Sequence, residues 1–287
     1  MSRSRTRVAI LLLSIIATTT HAAGRDCVAA DIEVHSWLTS WLYQSYDLGN
    51  CTSLIMSEAP YVSIKALASA LTQQSAPRLR SLTLAGDGLS EIDPLVAVLK
   101  TGDIALQELK LEGNKIGADG AKALAQTPLE ILDLTNNELG DAGAAAIADA
   151  LATRKGGDLI ALFLNGNGIT DTGARSLAKA LPRNKRLKEL SLSGNPAVTS
   201  HSLSAFERSL RRNAVLTKLS VDEPAPTSPI TIRRRHNALV KLIERLLRGN
   251  ARDGDEGKSS RARQRRKKRS ARARRNGKPL RGKHAPM

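Results

Sequence analysis

Two hydrophobic periods take turns along most of this 287-residue chain. The first is Leu-x-x-Leu-x-Leu, at Leu79, Leu82 and Leu84, then Leu106, Leu109 and Leu111, then Leu129, Leu132 and Leu134. It starts again at Leu159, Leu187 and Leu216, with 27, 23, 30, 28 and 29 residues between successive starts. A period of two puts these leucines on one face of a short strand, with the intervening residues on the other. Three residues beyond the third leucine of the first five units stand Asp87, Asn114, Asn137, Asn167 and Asn195. An asparagine amide both donates and accepts, so it can satisfy backbone groups buried where the chain turns. The second period is helical. Gly143 to Leu151 and Gly173 to Leu181 are near copies, and Ile147 with Leu151, or Leu177 with Leu181, give each helix one apolar stripe. Leu67 to Leu71 is a degenerate copy of the same helix.

Strand, asparagine and helix at this spacing form a repeat unit whose apolar ends are covered only by its neighbours. The pattern Leu-x-x-Leu-x-Leu-x-x-Asn-x-Ile, followed by Gly-Ala-x-x-Leu-Ala-x-x-Leu, resembles the ribonuclease-inhibitor-like leucine-rich repeats over about residues 52–222. That resemblance implies an α/β solenoid, a horseshoe with parallel strands on the concave face and helices on the convex face. It also implies that the concave face binds a protein. In the strand frame the outward positions include Glu108, Lys110 and Glu112; Ile131, Asp133 and Thr135; Ala161, Phe163 and Asn165; Glu189, Ser191 and Ser193. Most are small or polar. Ile131 and Phe163 are apolar exceptions ringed by acids, the usual anatomy of an interaction hot spot. The expected contact set is Glu108, Lys110, Glu112, Ile131, Asp133, Phe163, Asn165 and Glu189.

Both ends differ from the repeats. Arginines at 3, 5 and 7, an apolar run from Val8 to Ala17 and the small residues before Ala23 form a secretory signal over residues 1–23. The exported chain is then extracellular, or periplasmic in a bacterium. An oxidising compartment lets Cys27 and Cys51, the two cysteines, pair and close a loop that stabilises the fold by roughly 3.5 kcal/mol. Between them Trp37, Leu38, Trp41 and Leu42 recur at helical spacing, so residues 24–51 read as a helical N-terminal cap. Asn50 heads an Asn-x-Thr glycosylation sequon. A Pro-rich linker follows the repeats at 223–229. Residues 230–248 form an amphipathic helix with Leu239, Leu242, Ile243, Leu246 and Leu247 on one stripe. Docking on the last repeat, an acidic membrane surface and a partner helix are its three candidate roles.

The net charge of +17 comes from one end. From Arg233 to Met287 there are 21 Lys or Arg against 4 Asp or Glu, whereas Gly24 to Ile232 holds 20 against 23. The body is therefore not a generally basic fold. Residues 249–287 contain no aromatic and almost no large apolar side chain, a composition that builds no core and predicts disorder. Within them Arg265, Arg266, Lys267, Lys268, Arg269, Arg272, Arg274 and Arg275 are dense enough to bind nucleic acid, acidic glycan or an anionic membrane surface through counterion release. The same run resembles a nuclear localisation signal, which would make the chain an exported effector bound for the nucleus of a target cell. Catalysis finds no convergent set of groups: the five histidines are scattered, none has metal-ligand spacing, and no nucleophile elbow or phosphate loop occurs. The sequence thus predicts a non-enzymatic scaffold without cofactor or metal and without a transmembrane segment.

Overall fold

The structure, a computed structural model, describes residues 26–28, 52–57, 64–71, 76–86, 88–153, 158–224 and 226–251. The signal segment, Asn50, Cys51 and the basic run from Arg265 to Arg275 lie outside the described residues. Strands and helices alternate: β1 (Asp26–Val28), β2 (Ser53–Ser57), α1 (Ile64–Ala70), β3 (Ser81–Ala85), α2 (Asp93–Thr101), β4 (Glu108–Lys110), α3 (Gly117–Leu124) and β5 (Ile131–Asp133). Then come α4 (Gly140–Ala152), β6 (Ala161–Phe163), α5 (Asp171–Ala180), β7 (Glu189–Ser191), α6 (Ser200–Leu210), β8 (Lys218–Ser220) and a last helix, α7, over residues 230–251. The eight strands form one parallel sheet in sequence order, the layout of a horseshoe solenoid.

The register explains the leucine period. Leu54, Leu82, Leu109, Leu132, Leu162, Leu190 and Leu219 stand side by side on successive strands. All but Leu219 are buried, together with Leu84, Leu111, Leu134, Leu164 and Leu192 on the same face. From the helix side Leu99, Leu124, Ile147, Leu151, Leu177 and Leu181 meet them. Each such side chain contributes about 1.5–3 kcal/mol when removed from water. Phe206 is the one fully buried aromatic among the described residues, and it fills the last repeat.

Polar groups hold the repeats in register where leucines cannot. Asn167 is 1% exposed, accepts from the backbone N–H of Asn137 (2.9 Å) and Leu139 (3.3 Å), and donates to the carbonyls of Leu134 (2.8 Å) and Asn165 (3.1 Å). Asn195 does the same one repeat later, accepting from Asn167 and Ile169. Asn114 and Asn137 complete the ladder, while Asp87 lies outside the described residues. On the helical side the carboxylate of Asp141 accepts from the N–H and hydroxyl of Thr170 and from Gly173 N, capping the next helix in the array. A Cβ on Gly173 would lie 2.6 Å from that carboxylate oxygen, so the cap needs a glycine there. Asp171 repeats the contact to Thr199 and Ser202. Burial would raise both aspartates' pKa, but the hydrogen bonds outweigh it and hold both below the ordinary Asp value.

Two boundaries differ from the sequence reading. Residues 26–28 of the expected helical cap are a strand, paired in parallel with β2, so the sheet itself starts there. A strand of three residues carries too little periodicity to be read from sequence. The helix expected at 230–248 runs to 251, which moves the start of the tail. It docks on the last repeat: Ile243 and Leu247 are buried, and Leu239, Val240 and Leu246 pack partly against the core. Its inner face is completed by two polar residues that the leucine stripe did not include. His236 is 3% exposed, with its pKa lowered by burial against the opposing pull of Glu223. Asn250 donates to the carbonyls of Asn213 (2.9 Å) and Leu216 (2.7 Å). Leu247-x-x-Asn250 thereby repeats Leu181-x-x-Asn184 and Leu210-x-x-Asn213, and the helix ends the array as a degenerate repeat.

Candidate functional site

The strands' outward positions fall into rows. One row runs Ser81, Glu108, Ile131, Ala161, Glu189, Lys218, and the next runs Thr83, Lys110, Asp133, Phe163, Ser191, Ser220. Glu112, Thr135 and Asn165 follow just beyond their strands. Every expected contact residue is therefore on the concave face: Glu112 is exposed, and Glu108, Lys110, Ile131, Asp133, Phe163, Asn165 and Glu189 are half-buried. Two outward neighbours are more enclosed than the alternation predicts, Ala161 at 8% and Ser191 at 7% exposure.

The centre of the face is organised. Ile131 stands beside Ala161, and Phe163 stands between Asp133 and Ser191, which places an apolar patch across β5 and β6. Hydroxyls and amides link the groups around it. Ser191 Oγ donates to Asn165 Oδ1 (2.6 Å), Asn165 Nδ2 donates to Thr135 Oγ1 (3.3 Å), and Thr135 donates to Asp133 Oδ1 through its hydroxyl (2.6 Å) and its N–H (2.9 Å). The donors all run toward one carboxylate, which fixes its orientation without neutralising its charge.

Flanking charges are already matched. Lys110 Nζ lies 2.9 Å from Glu108, and Lys218 Nζ lies 2.5 Å from Glu189. Burial pushes the Glu108 pKa up, but hydrogen bonds from Lys110 and Ser81 and the lysine's charge prevail and hold it below the ordinary Glu value. Asp133 and Glu112 have no ion pair among the described residues, so the free negative charge of the face lies at its middle. Among the described residues no group of three or more His, Cys, Asp or Glu could hold a metal, and no helix is long and apolar enough to cross a membrane.

Sequence reading placed the face but missed its wiring. The links of Thr135 and Ser191 to Asn165, and of Lys218 to Glu189, run across strands and depend on register. Asp141 and Asp171 did leave a signal, the same offset before Gly143 and Gly173 in two near-copy helices.

A family model for the Leucine Rich repeat matches residues 105–125, 126–148 and 159–178. Ribonuclease inhibitor from Sus scrofa is 35% identical over 140 residues, 46% of this chain and 30% of that protein. The chain carries leucine-rich repeats that are similar to those of ribonuclease inhibitor. NACHT, LRR and PYD domains-containing protein 5 from Homo sapiens is 36% identical over 129 residues, 42% of this chain and 11% of that protein. The chain thus spans less than a third of the length of either relative. Among solved structures, that of leiomodin-1 actin-binding site 2 is similar at 21% identity with a TM-score of 0.44, covering 51% of this chain and 79% of that one.

Proposed function

We propose that the chain is a non-enzymatic scaffold that grips a partner protein at the centre of its concave face. The observation that carries this reading is the Ile131, Ala161 and Phe163 patch beside Asp133, whose carboxylate is oriented by Thr135, Asn165 and Ser191. An apolar anchor next to a fixed, unpaired carboxylate suits a partner segment that presents an apolar side chain beside a lysine or arginine. Glu108 and Glu189 are matched by lysines of their own and add a polar rim. Export through residues 1–23, the Cys27–Cys51 bridge and anion binding by the basic tail belong to the same proposal: the solenoid selects a protein, and the tail holds the molecule near an anionic surface.

The test is comparative. The purified chain and its Phe163→Ala and Asp133→Asn variants are offered the proteins of its native environment, and bound proteins are quantified by mass spectrometry. A genuine partner loses retention with both variants and keeps it with Lys179→Ala, a substitution on a convex helix. Equal retention by all four chains would remove the concave face as the binding surface. The tail's role is tested separately, by following where the chain lacking residues 252–287 accumulates. Accumulation in a nucleus that depends on those residues would support a nuclear address instead.

A further inference from the structure

The loops that lead from helix to strand in the last part of the array, together with the last turn of α7, carry a second ladder. Asn184 Nδ2 donates to Leu151 O (3.1 Å), Asn213 Nδ2 to Leu181 O (2.6 Å) and Asn184 O (3.2 Å), and Asn250 Nδ2 to Asn213 O and Leu216 O. Each loop is thereby fastened to the one before it. Basic, exposed residues stand next to or near these asparagines: Arg183 and Lys185 on either side of Asn184, Arg212 before Asn213, and Arg248 two residues before Asn250. Lys188, before β7, Arg208, in the last turn of α6, and Arg245, on α7, are exposed as well. None of these seven has an ion pair among the described residues. Of the other bases nearby, Arg186 is matched by Asp158 and Arg211 by Glu207.

Helix stability does not account for this surplus. A cation in the last turn offsets the partial negative charge of a helix C-terminus, and one suffices. α2 and α3 have one each, Lys100 and Lys122, and α4 has none. The corresponding edge of the early repeats is mixed, with Arg78 and Arg80 before β3 but Asp103, Gln107, Gln126 and Glu130 in the next two repeats. Only the late repeats stack like charge on like charge at a rigid spacing, an arrangement that repels itself until an anionic chain lies along it.

We propose that this edge, centred on Arg183, Lys185, Arg212 and Arg248, is a binding site for a linear sulfated polysaccharide. The row is one loop wide and follows the solenoid axis, the shape of a single thin polyanion. A bilayer or a nucleic acid duplex is wider than one loop and would press Asp158, Glu207 and Glu244 against like charge. The edge also has no aromatic on which a nucleobase could stack. This site belongs to the folded array and is independent of both the concave face and the tail.

The experiment uses the full-length chain with all fifteen Lys and Arg from Arg252 to Lys283 changed to Gln, so that the tail does not mask the edge. The probe is heparin, titrated at several salt concentrations. This chain should bind heparin with affinity that falls as salt rises. Adding Arg183→Gln, Lys185→Gln, Arg212→Gln and Arg248→Gln should weaken binding at least tenfold and reduce the slope of log K against log salt by about 3, at roughly 0.7 per lost contact. A control with Lys65, Lys100, Lys115 and Lys122 changed to Gln loses the same charge elsewhere and should bind within about twofold of its parent. Matching far-UV spectra and denaturation midpoints establish that all chains are folded. No heparin binding by the tail-neutralised chain, or equal losses in edge variant and control, would overturn the site. Tighter, edge-dependent binding of duplex DNA or of phosphatidylserine vesicles would overturn the assignment to a polysaccharide.

Discussion

Replacing Asn167 by alanine tests whether hydrogen bonds, and not leucine packing alone, hold the repeats in register. The side chain is 1% exposed and makes four hydrogen bonds, two given and two received. Alanine leaves the N–H of Asn137 and the carbonyl of Leu134 buried, and no other hydrogen bond to either is formed among the described residues. A buried backbone group that loses its partner costs about 1–3 kcal/mol. Two such groups, with Leu139 N and Asn165 O contributing less because their geometry is longer, give an expected loss of about 3–5 kcal/mol. For a domain of this size that lowers Tm by on the order of 10 °C. Urea denaturation followed by circular dichroism measures it, with an unchanged m value if the array still unfolds as one unit. The companion variant Asn165→Ala sits two residues away on the concave face, where its partners are surface hydroxyls, and should cost about 1 kcal/mol or less. Equal effects of the two substitutions, or a loss below about 1 kcal/mol for Asn167→Ala, would show that the asparagine ladder follows the packing and does not help to enforce it.

Other outcomes follow from single contacts. Leu247→Ala, at a buried position of α7, should destabilise the chain by about 2–5 kcal/mol and speed amide exchange first in β8 and the loop after it. Because Asp141 and Asp171 have lowered pKa values, the unfolded chain takes up their protons first as pH falls. Their stabilisation is complete above about pH 5 and fades below about pH 3.9, and Asp141→Asn with Asp171→Asn should flatten that acid limb in denaturation midpoints. His236 is likewise lowered, so docking of α7 should weaken as pH drops through about 6.5, and His236→Gln should remove that dependence from exchange protection in the helix. Glu138 adopts φ +54°, where the equivalent Gly88 and Gly168 have +65° and +66°, so Glu138→Gly should raise stability by up to about 1 kcal/mol in thermal denaturation.

The solenoid was legible because its determinants are local and repeated. A strand of three residues is a weak signal by itself, yet Leu-x-x-Leu-x-Leu recurs at nearly constant distance, and repetition supplies what length does not. The inward or outward placement of Glu108, Ile131, Asp133 and Phe163 follows from period two and needed no tertiary information. What stayed hidden depends on which residue lies opposite which. That Ser191 reaches Asn165, or that Lys218 matches Glu189, is set by the register between strands more than 25 residues apart in sequence. β1 was hidden because it pairs without repeating the motif. The role of α7 was hidden because its leucine stripe fits a solenoid end, a membrane and a partner helix alike. The asparagine three residues after Leu247 is what marks it as a repeat helix, and that meaning appears only beside Asn184 and Asn213 in the fold.

The two asparagine ladders divide labour between stability and function. One runs beneath the turns that follow the strands and the other through the last loops and α7, so the late repeats are fastened at both ends by residues facing inward. Once register is held this way, outward positions are released from structural duty and can differ from repeat to repeat. The composition follows that release: leucine and asparagine recur at fixed positions, while the concave row changes from Glu108 to Ile131 to Ala161 and the loop edge from Gln126 to Arg183 to Arg212. Substitutions at the ladders should therefore move denaturation midpoints without redirecting binding. Substitutions at Phe163 or Arg212 should change which ligand is held while leaving the midpoints in place. A single variant in either group that moved both readouts together would show that the rows and the ladders are coupled through the strands they share.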